Sequence, residues 1–206
     1  MENNNQQEER KPDQNFWNDQ YKAQTTGWDL GQVSPPLKAY IDQLTDKDQH
    51  ILIPGCGNTY EAQYLLQQGF TRVTVIDIAS QLVATLQQKF NGNSNINIIL
   101  GDFFEHEGEY DLILEQTFFC ALNPTLRKNY VAQMHHLLAA TGKLAGILFN
   151  RYFEEQGPPF GGEKQEYQQL FQPYFHIKTM EPCYNSFSKR SGTELFVILQ
   201  KKQAAE

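Results

Sequence analysis

HILIPGCGNTYE, residues 50–61, reads as a buried strand running into a glycine turn and then a helix. Ile51, Leu52 and Ile53 are consecutive and apolar, as strands covered on both faces of a parallel sheet are. Gly55-Cys56-Gly57 makes the tight turn, and a helix opens from Tyr60. Glycine at such a turn lets a ligand approach the backbone closely, and the helix start offers N–H groups without intrahelical partners. A second apolar strand, Arg72 to Ile78, carries Asp77 about twenty residues after the glycines, the usual offset for a carboxylate that binds ribose hydroxyls. Strand, turn, helix, strand and acid in that order predict the ligand-binding corner of a doubly wound, Rossmann-like α/β sheet.

Two ligand classes use such a corner, and the third glycine of the G-x-G-x-x-G pattern helps to separate them. In dinucleotide sites that glycine allows close helix packing under the pyrophosphate. Here Tyr60 stands in its place, which disfavours a nucleotide or NAD-dependent oxidoreductase. S-adenosylmethionine carries no phosphate, only a zwitterionic amino acid end, a ribose, an adenine and a sulfonium, and suits this turn better. A non-catalytic module that binds S-adenosylmethionine without transferring its methyl remains the second alternative.

Composition narrows the partners. The chain has 206 residues, 40% of them hydrophobic, enough for one well-cored domain. Its net charge is −7, and its basic residues gather no further than isolated pairs such as Lys189-Arg190 and Lys201-Lys202, so a surface tracking phosphates of nucleic acid is not expected. No apolar run reaches the length of a membrane span, and MENNNQQEER lacks the apolar core of a signal peptide. Cys56, Cys120 and Cys183 are odd in number, far apart and without metal-type spacing, which fits reduced thiols. The expectation is a soluble cytoplasmic protein acting on a small molecule, with a monomer slightly favoured.

Residues 1–14 are polar and read as a disordered tail, and residues 15–200 as a single domain whose first part, 15–48, is an N-terminal flap and helix. Trp17 and Tyr21 stand four apart on one helical face, with Trp28 following a glycine. That pattern suits an amphipathic helix packed on the domain, and equally an aromatic flap over a cationic ligand, since a sulfonium is attracted to aromatic faces as an ammonium is. Pro35-Pro36 opens a helix with Leu37, Tyr40, Ile41 and Leu44 inward. Ser80 is the expected N-cap of the helix to Phe90, and Ile96–Leu100 the third strand. At its end Asp102 and Phe103 are candidates for the adenine amino group and ring.

Tyr110–Glu115 makes a fourth strand delivering Glu115, Gln116 and Phe119 to the same rim. No Asn-Pro-Pro-Tyr-type sequence of base amino-methylating enzymes follows it. Asn123-Pro124 opens a helix with a Leu126, Tyr130, Met134, Leu137 and Leu138 stripe, ended by Gly142. His135 and His136 are adjacent and cannot chelate as an i, i+4 pair would, so no metal is assigned. Lys143–Phe149 is the fifth strand, with Arg151 and Tyr152 at its end. The GPPF stretch to Phe160 follows as a stiff loop over the rim. Phe175–Met180 and Glu194–Leu199 are two closing strands paired antiparallel at the sheet edge, and residues 201–206 a frayed end.

Taken together, Trp17, Tyr21 and Trp28, PGCG at 54–57, Asp77, GDFF at 101–104, FFCALNP at 118–124 and GPPF at 157–160 resemble the thiopurine and thiol methyltransferase family, which includes plant halide and thiocyanate methyltransferases. The resemblance runs from Phe16 to about Leu199. It implies a class I methyltransferase fold, a seven-stranded sheet with the last strand antiparallel, and S-adenosyl-L-methionine as donor, with S-adenosyl-L-homocysteine as product. It implies methyl transfer to a soft atom of a thiol, hydrosulfide, thiocyanate, halide or thiopurine-like aromatic thiol.

Carried onto this sequence, the resemblance puts Trp17, Tyr21 and Trp28 around the donor and Gly55, Cys56 and Gly57 at its amino acid end. Asp77 and Ile78 fall at the ribose, Asp102 and Phe103 at the adenine, and Glu115 and Gln116 against the donor from the fourth strand. Tyr21, Phe119, Arg151, Tyr152 and Phe160 form the expected acceptor pocket, with no obligatory catalytic residue. The chain has Gln116 where thiopurine enzymes can have Arg, and Tyr21 where many relatives have an indole.

Overall fold

The structure, a computed structural model, describes residues 12–154 and 157–203. Its seven strands are β1 (Ile51–Pro54), β2 (Val73–Asp77), β3 (Ile96–Leu100), β4 (Tyr110–Gln116), β5 (Leu138–Phe149), β6 (Phe175–Pro182) and β7 (Glu194–Lys201). They form one sheet in the order β3-β2-β1-β4-β5-β7-β6, in which β7 alone runs against its neighbours. The chain goes outward from β1 to β3, then returns to build β4 on the other side of β1. That reversal is a topological switch point, and ligands of open α/β sheets sit outside the strand ends there.

The strands alternate their side chains between two apolar layers. Ile51, Ile53, Leu112, Leu114, Ala145 and Ile147 belong to one cluster; Leu52, Ile113, Leu144 and Leu148, each one residue out of step, belong to the other. Helices α2 (Pro35–Ile41), α3 (Tyr60–Gln67) and α4 (Ser80–Lys89) cover the first layer through Leu37, Ile41, Leu65 and Leu82. Helices α5 (Arg127–Leu137) and α6 (Lys164–Phe171) cover the second through Tyr130, Met134, Tyr167 and Phe171. Helix α1 (Gln14–Ala23) contributes no fully buried residue and lies outside this frame.

Several local expectations change. Helix α1 starts at Gln14, capped by the Asp13 side chain on the Phe16 amide at 2.8 Å, so order begins before residue 15. The expected tail over residues 1–11 lies outside the described residues. Ser80 is the first helical residue of α4 rather than its cap; Ala79 stands at the cap position, its amide donating to Asp77 Oδ1 at 2.9 Å. Strand β5 begins at Leu138, so Gly142 lies within it, where the β4–β5 register slips between Tyr110 and Leu112. A Cβ on Gly142 would meet the Tyr110 carbonyl at 2.9 Å, which is why this position takes glycine. At the other end, Lys201 belongs to β7 and the Lys202 amide donates to the Tyr174 carbonyl; residues 204–206 lie outside the described residues.

Candidate active site

A cavity of about 690 Å³ opens at the C-terminal ends of β1, β2 and β4, roofed by α1 and the segment after it. Its wall takes Trp17, Tyr21 and Trp28 from the N-terminal segment, Gly55, Cys56 and Gly57 from the glycine turn, and Asp77 and Ile78 from β2 and its exit. Asp102, Phe103 and Gln116 join them from the ends of β3 and β4. Twelve of the expected donor-site residues were named from sequence; Glu115 alone is missing from this wall.

Asp77 is the centre of the corner. It is 8% exposed, and its Oδ2 accepts from the Gly57 amide at 3.1 Å while Oδ1 accepts from Ala79. Burial pushes its pKa up and these amides pull it back. A carboxylate has about four acceptor positions, so capacity remains for a ribose hydroxyl. Gly55 and Gly57 both have left-handed φ, and a Cβ on Gly55 would lie 2.1 Å from the Phe118 ring. The glycine at 55 therefore serves the packing of Phe118 from the β4 exit as well as the turn. Tyr60 fills the third-glycine place, its hydroxyl 3.4 Å from Asp29 and its ring beneath the Lys89 ammonium. The start of α3 is thus dressed by a ring and a carboxylate, poor company for a pyrophosphate.

The N-terminal segment is fastened to this corner by polar contacts. Gln14 donates to the Ile78 carbonyl, Asn18 pairs with Ser80, and Asn58 bonds to Asp29. Above the cavity Trp17 and Tyr21 each meet Trp28 edge to face, at 5.4 and 5.9 Å. Burial, then the Asp77 carboxylate, hold the Tyr21 phenol protonated far above its ordinary range. Tyr21 therefore keeps its proton and is no base.

At the β3 end, Asp102 is exposed and caps the 3-10 turn Phe103–Glu105 through the Phe104 amide at 2.8 Å. Phe103 is mainly a core ring, against Phe104, Phe118 and Tyr130, with part of it in the wall. Glu115 departs from the expectation of a donor contact. It is wholly buried, and its oxygens are taken by the Phe118 and Phe119 amides and the Tyr130 hydroxyl. Gln116, next along, does line the cavity, and its Oε1 has no protein partner.

The acceptor pocket differs most from expectation. Phe119 is a core residue between Tyr130, Tyr167 and Phe171. Tyr152 is 64% exposed and Arg151 stacks on Phe153 at the surface, because the Arg151–Gly162 bridge turns this segment away from the rim. Phe160 is tied by its amide to the Cys120 carbonyl, outside the cavity wall. Of the five, only Tyr21 lines the cavity. The wall on the β4–β5 side is instead made by Leu122, Leu126, Phe149, Pro158, Pro159 and Arg190. Arg190 is the one cationic side chain in the wall among the described residues. Its Nη2 donates to the Trp28 carbonyl at 2.7 Å, its Nη1 lies 3.5 Å from Glu194, and its guanidinium sits over the Phe149 ring. Sequence reading passed it over because Lys189-Arg190 looks like ordinary surface charge; only the return of the chain into β7 brings it inward.

The residues present suit S-adenosylmethionine. Asp77 has acceptor capacity left for the ribose, Asp102 lies at the next strand end, and the carboxylates of Asp29 and Glu61 are in the wall for an ammonium. Trp17, Tyr21 and Trp28 offer faces and edges to a sulfonium. Strand order and site together define a class I S-adenosylmethionine-dependent methyltransferase. The 1,6-didemethyltoxoflavin-N1-methyltransferase of Burkholderia thailandensis shares the fold, with TM-score 0.74, 18% identity, and 92% of this chain and 87% of that one covered.

The chain belongs to the thiopurine S-methyltransferase family, whose model matches residues 12–203. Among its relatives, the probable thiol methyltransferase 2 of Arabidopsis thaliana is 29% identical over 162 residues, 76% of this chain and 71% of that protein. The thiopurine S-methyltransferase of Acinetobacter baylyi is 26% identical over 202 residues, 86% and 92% of the two chains. The thiocyanate methyltransferase 1 of Arabidopsis thaliana is 23% identical over 185 residues, 86% and 81%. The protein is an S-adenosylmethionine-dependent methyltransferase, and neither the oxidoreductase nor the binding-module alternative is needed.

Proposed function

We propose that the enzyme methylates a small, soft, weakly hydrated nucleophile: a thiol, hydrosulfide, thiocyanate or halide, with thiopurine-like aromatic thiols in the same class. The observation that carries this reading is the β4–β5 side of the cavity, where Leu122, Leu126, Phe149, Pro158 and Pro159 line the same wall as the single guanidinium of Arg190, which sits over the Phe149 ring. A soft anion loses little on leaving water for such a wall, whereas an oxygen nucleophile or a protonated amine loses more and needs a base. The acids of the wall, Asp13, Asp29, Glu61, Asp77 and Asp102, come from the flap and the β1–β3 side. The names of the thiol, thiopurine and thiocyanate methyltransferase relatives agree with the reading.

When bound, S-adenosylmethionine supplies a methyl group already activated by its sulfonium. The chain's own work is then placement and exclusion of water, and placement alone can supply roughly 7–11 kcal/mol of the barrier reduction. Asp77 and the glycine turn orient the donor side, the Trp17-Tyr21-Trp28 cluster closes over it, and Arg190 draws a negative acceptor toward Phe149. No helix among the described residues is long and apolar enough to cross a membrane. Three free, buried cysteines suit a reducing compartment, and we place the enzyme in the cytoplasm.

The test is a panel of thiocyanate, iodide, hydrosulfide, aromatic thiols, catechols, amines and oligonucleotides with methyl-labelled donor, following volatile and dissolved products. Transfer to the soft nucleophiles is expected, and preferential methylation of catechol oxygen or an amine would overturn the reading. Arg190→Gln should raise the KM for thiocyanate by roughly ten-fold or more while changing that for a neutral aromatic thiol much less. Arg151→Gln, at the surface, should leave both as they are. Equal effects of Arg190→Gln on the two acceptors would remove it from anion recognition.

A further inference from the structure

The six-residue stretch that closes the cavity between its two sides, Gln116 to Ala121, contributes Gln116, Thr117, Phe118, Cys120 and Ala121 to the wall. Its shape is unusual. Thr117 has φ +61°, the left-handed region that a β-branched residue rarely enters. Phe118 lies over Gly55 so closely that only glycine fits beneath it. Both features are organised by one side chain that does not reach the cavity. The Glu115 Oε1 accepts from the Phe118 amide at 2.8 Å and the Phe119 amide at 3.1 Å, capping the 3-10 turn Phe119–Ala121. Its other oxygen accepts from the Tyr130 hydroxyl of α5 at 2.6 Å. Room for it is cut into the next strand: a Cβ on Gly146 of β5 would stand 2.4 Å from that of Glu115.

Stability does not explain this carboxylate. A buried charge without a cation costs stability, and no arginine or lysine among the described residues bonds to it. The titratable groups facing it are Tyr130 from α5 and Cys120 from the turn, each kept protonated by burial and by Glu115 itself. Arg127 and Arg190 both act on Cys120, but Arg127 is bonded to Glu166 and the Gly161 carbonyl and Arg190 to the Trp28 carbonyl.

We propose that Glu115 is a positioning residue for methyl transfer: by gripping two amides of the 116–121 turn and the Tyr130 hydroxyl, it holds the wall against which donor and acceptor meet, and touches neither. The grip depends on ionisation. As a carboxylate it accepts three charge-assisted hydrogen bonds; protonated, it meets the same amides as a neutral carbonyl, whose bonds are roughly half as strong. Burial pushes its pKa up to about 7, so the turn tightens across neutral pH.

The inference rests on the soft-anion reading only for the choice of acceptor. Thiocyanate and iodide stay ionised throughout, so neither contributes an ionisation of its own to a rate profile taken from about pH 5.5 to about pH 8.5. With them, wild-type kcat should rise through an inflection near neutral pH. Glu115→Gln, which keeps the shape and removes the charge, should be flat at the acid-side level, on the order of ten-fold below wild type on the alkaline side. The free Gln variant should also unfold at a higher temperature than wild type at alkaline pH, since it lacks this one unpaired buried charge. Slower and more stable together is the signature; a purely structural residue would give slower and less stable. Tyr130→Phe, a second variant that leaves the ring in place, should shift the inflection upwards through loss of one bond to the charged form. A Glu115→Gln profile that retains the inflection, or wild-type rates on the alkaline side, overturns the proposal. If wild type turns over another acceptor of the panel and not these anions, the acceptor reading alone fails, and the same profiles with that acceptor still decide Glu115.

Discussion

Asp77 shows how much one carboxylate carries. Its oxygens hold the Gly57 amide and the Ala79 amide ahead of α4 before any ligand arrives, so the group we propose for the ribose also shapes the turn proposed for the amino acid end. Asp77→Ala should therefore weaken S-adenosylmethionine and S-adenosylhomocysteine alike, by roughly 1.5–3 kcal/mol for the lost charged partner. Calorimetry with the homocysteine product, on protein whose fold is checked by circular dichroism, decides it; unchanged affinity would separate Asp77 from the donor. This residue was legible from sequence because its offset from the glycines is set by local βαβ geometry. Arg190 and Glu115 were not. One reaches the cavity through a contact with Trp28 that spans 162 positions of chain, and the other points away from the rim that its strand position suggested. Gln116 and Glu115 are neighbours on β4, so side-chain alternation sends one to the cavity and the other to the core.

At the scale of elements, apolar runs marked β1 and β2, because both are buried on both faces. The start of β5 was hidden, since Leu137 and Leu138 continue the helical stripe of α5 and nothing in a local pattern says where helix gives way to strand. The insertion of β7 between β5 and β6 was equally invisible, being a matter of pairing between distant segments. Helix α1 is where pattern and packing diverge: its aromatic stripe reads as core, yet no residue of it is fully buried; Trp17 and Tyr21 pack only partly on the apolar layer, beside polar ties at Ile78, Ser80 and Gln81. Such an element opens at low cost. We expect proteolysis between Phe16 and Gly31 to slow when S-adenosylhomocysteine is added, and removal of the segment to spare the sheet while abolishing transfer. Cleavage at the same rate with and without ligand, or unfolding on removal, would make α1 a structural part of the domain rather than a flap.

Across the whole molecule, the buried acids share one electrostatic character. Glu61, Asp77, Glu115 and Glu194 sit in different elements, and in each burial raises the pKa more than its hydrogen bonds lower it. An acid whose pKa is higher folded than unfolded binds more protons in the native state, so stability falls as pH rises from the unfolded value to the folded one. For Glu115 that window runs from 4.5 to about 7. Its contribution is on the order of 3 kcal/mol, and the other three acids act in the same direction. His50 and His106 oppose them: burial lowers both, so each costs stability as pH falls below the ordinary histidine range. These rings are only partly buried and two in number, so the acids should prevail. Urea midpoints of wild type are therefore expected to be higher near pH 5.5 than near pH 8. Because the cause is desolvation and not pairing at the surface, added salt should leave the slope in place. A midpoint that climbs through this interval, or a slope that salt abolishes, would mean that exposed charges and not the buried acids govern the pH dependence.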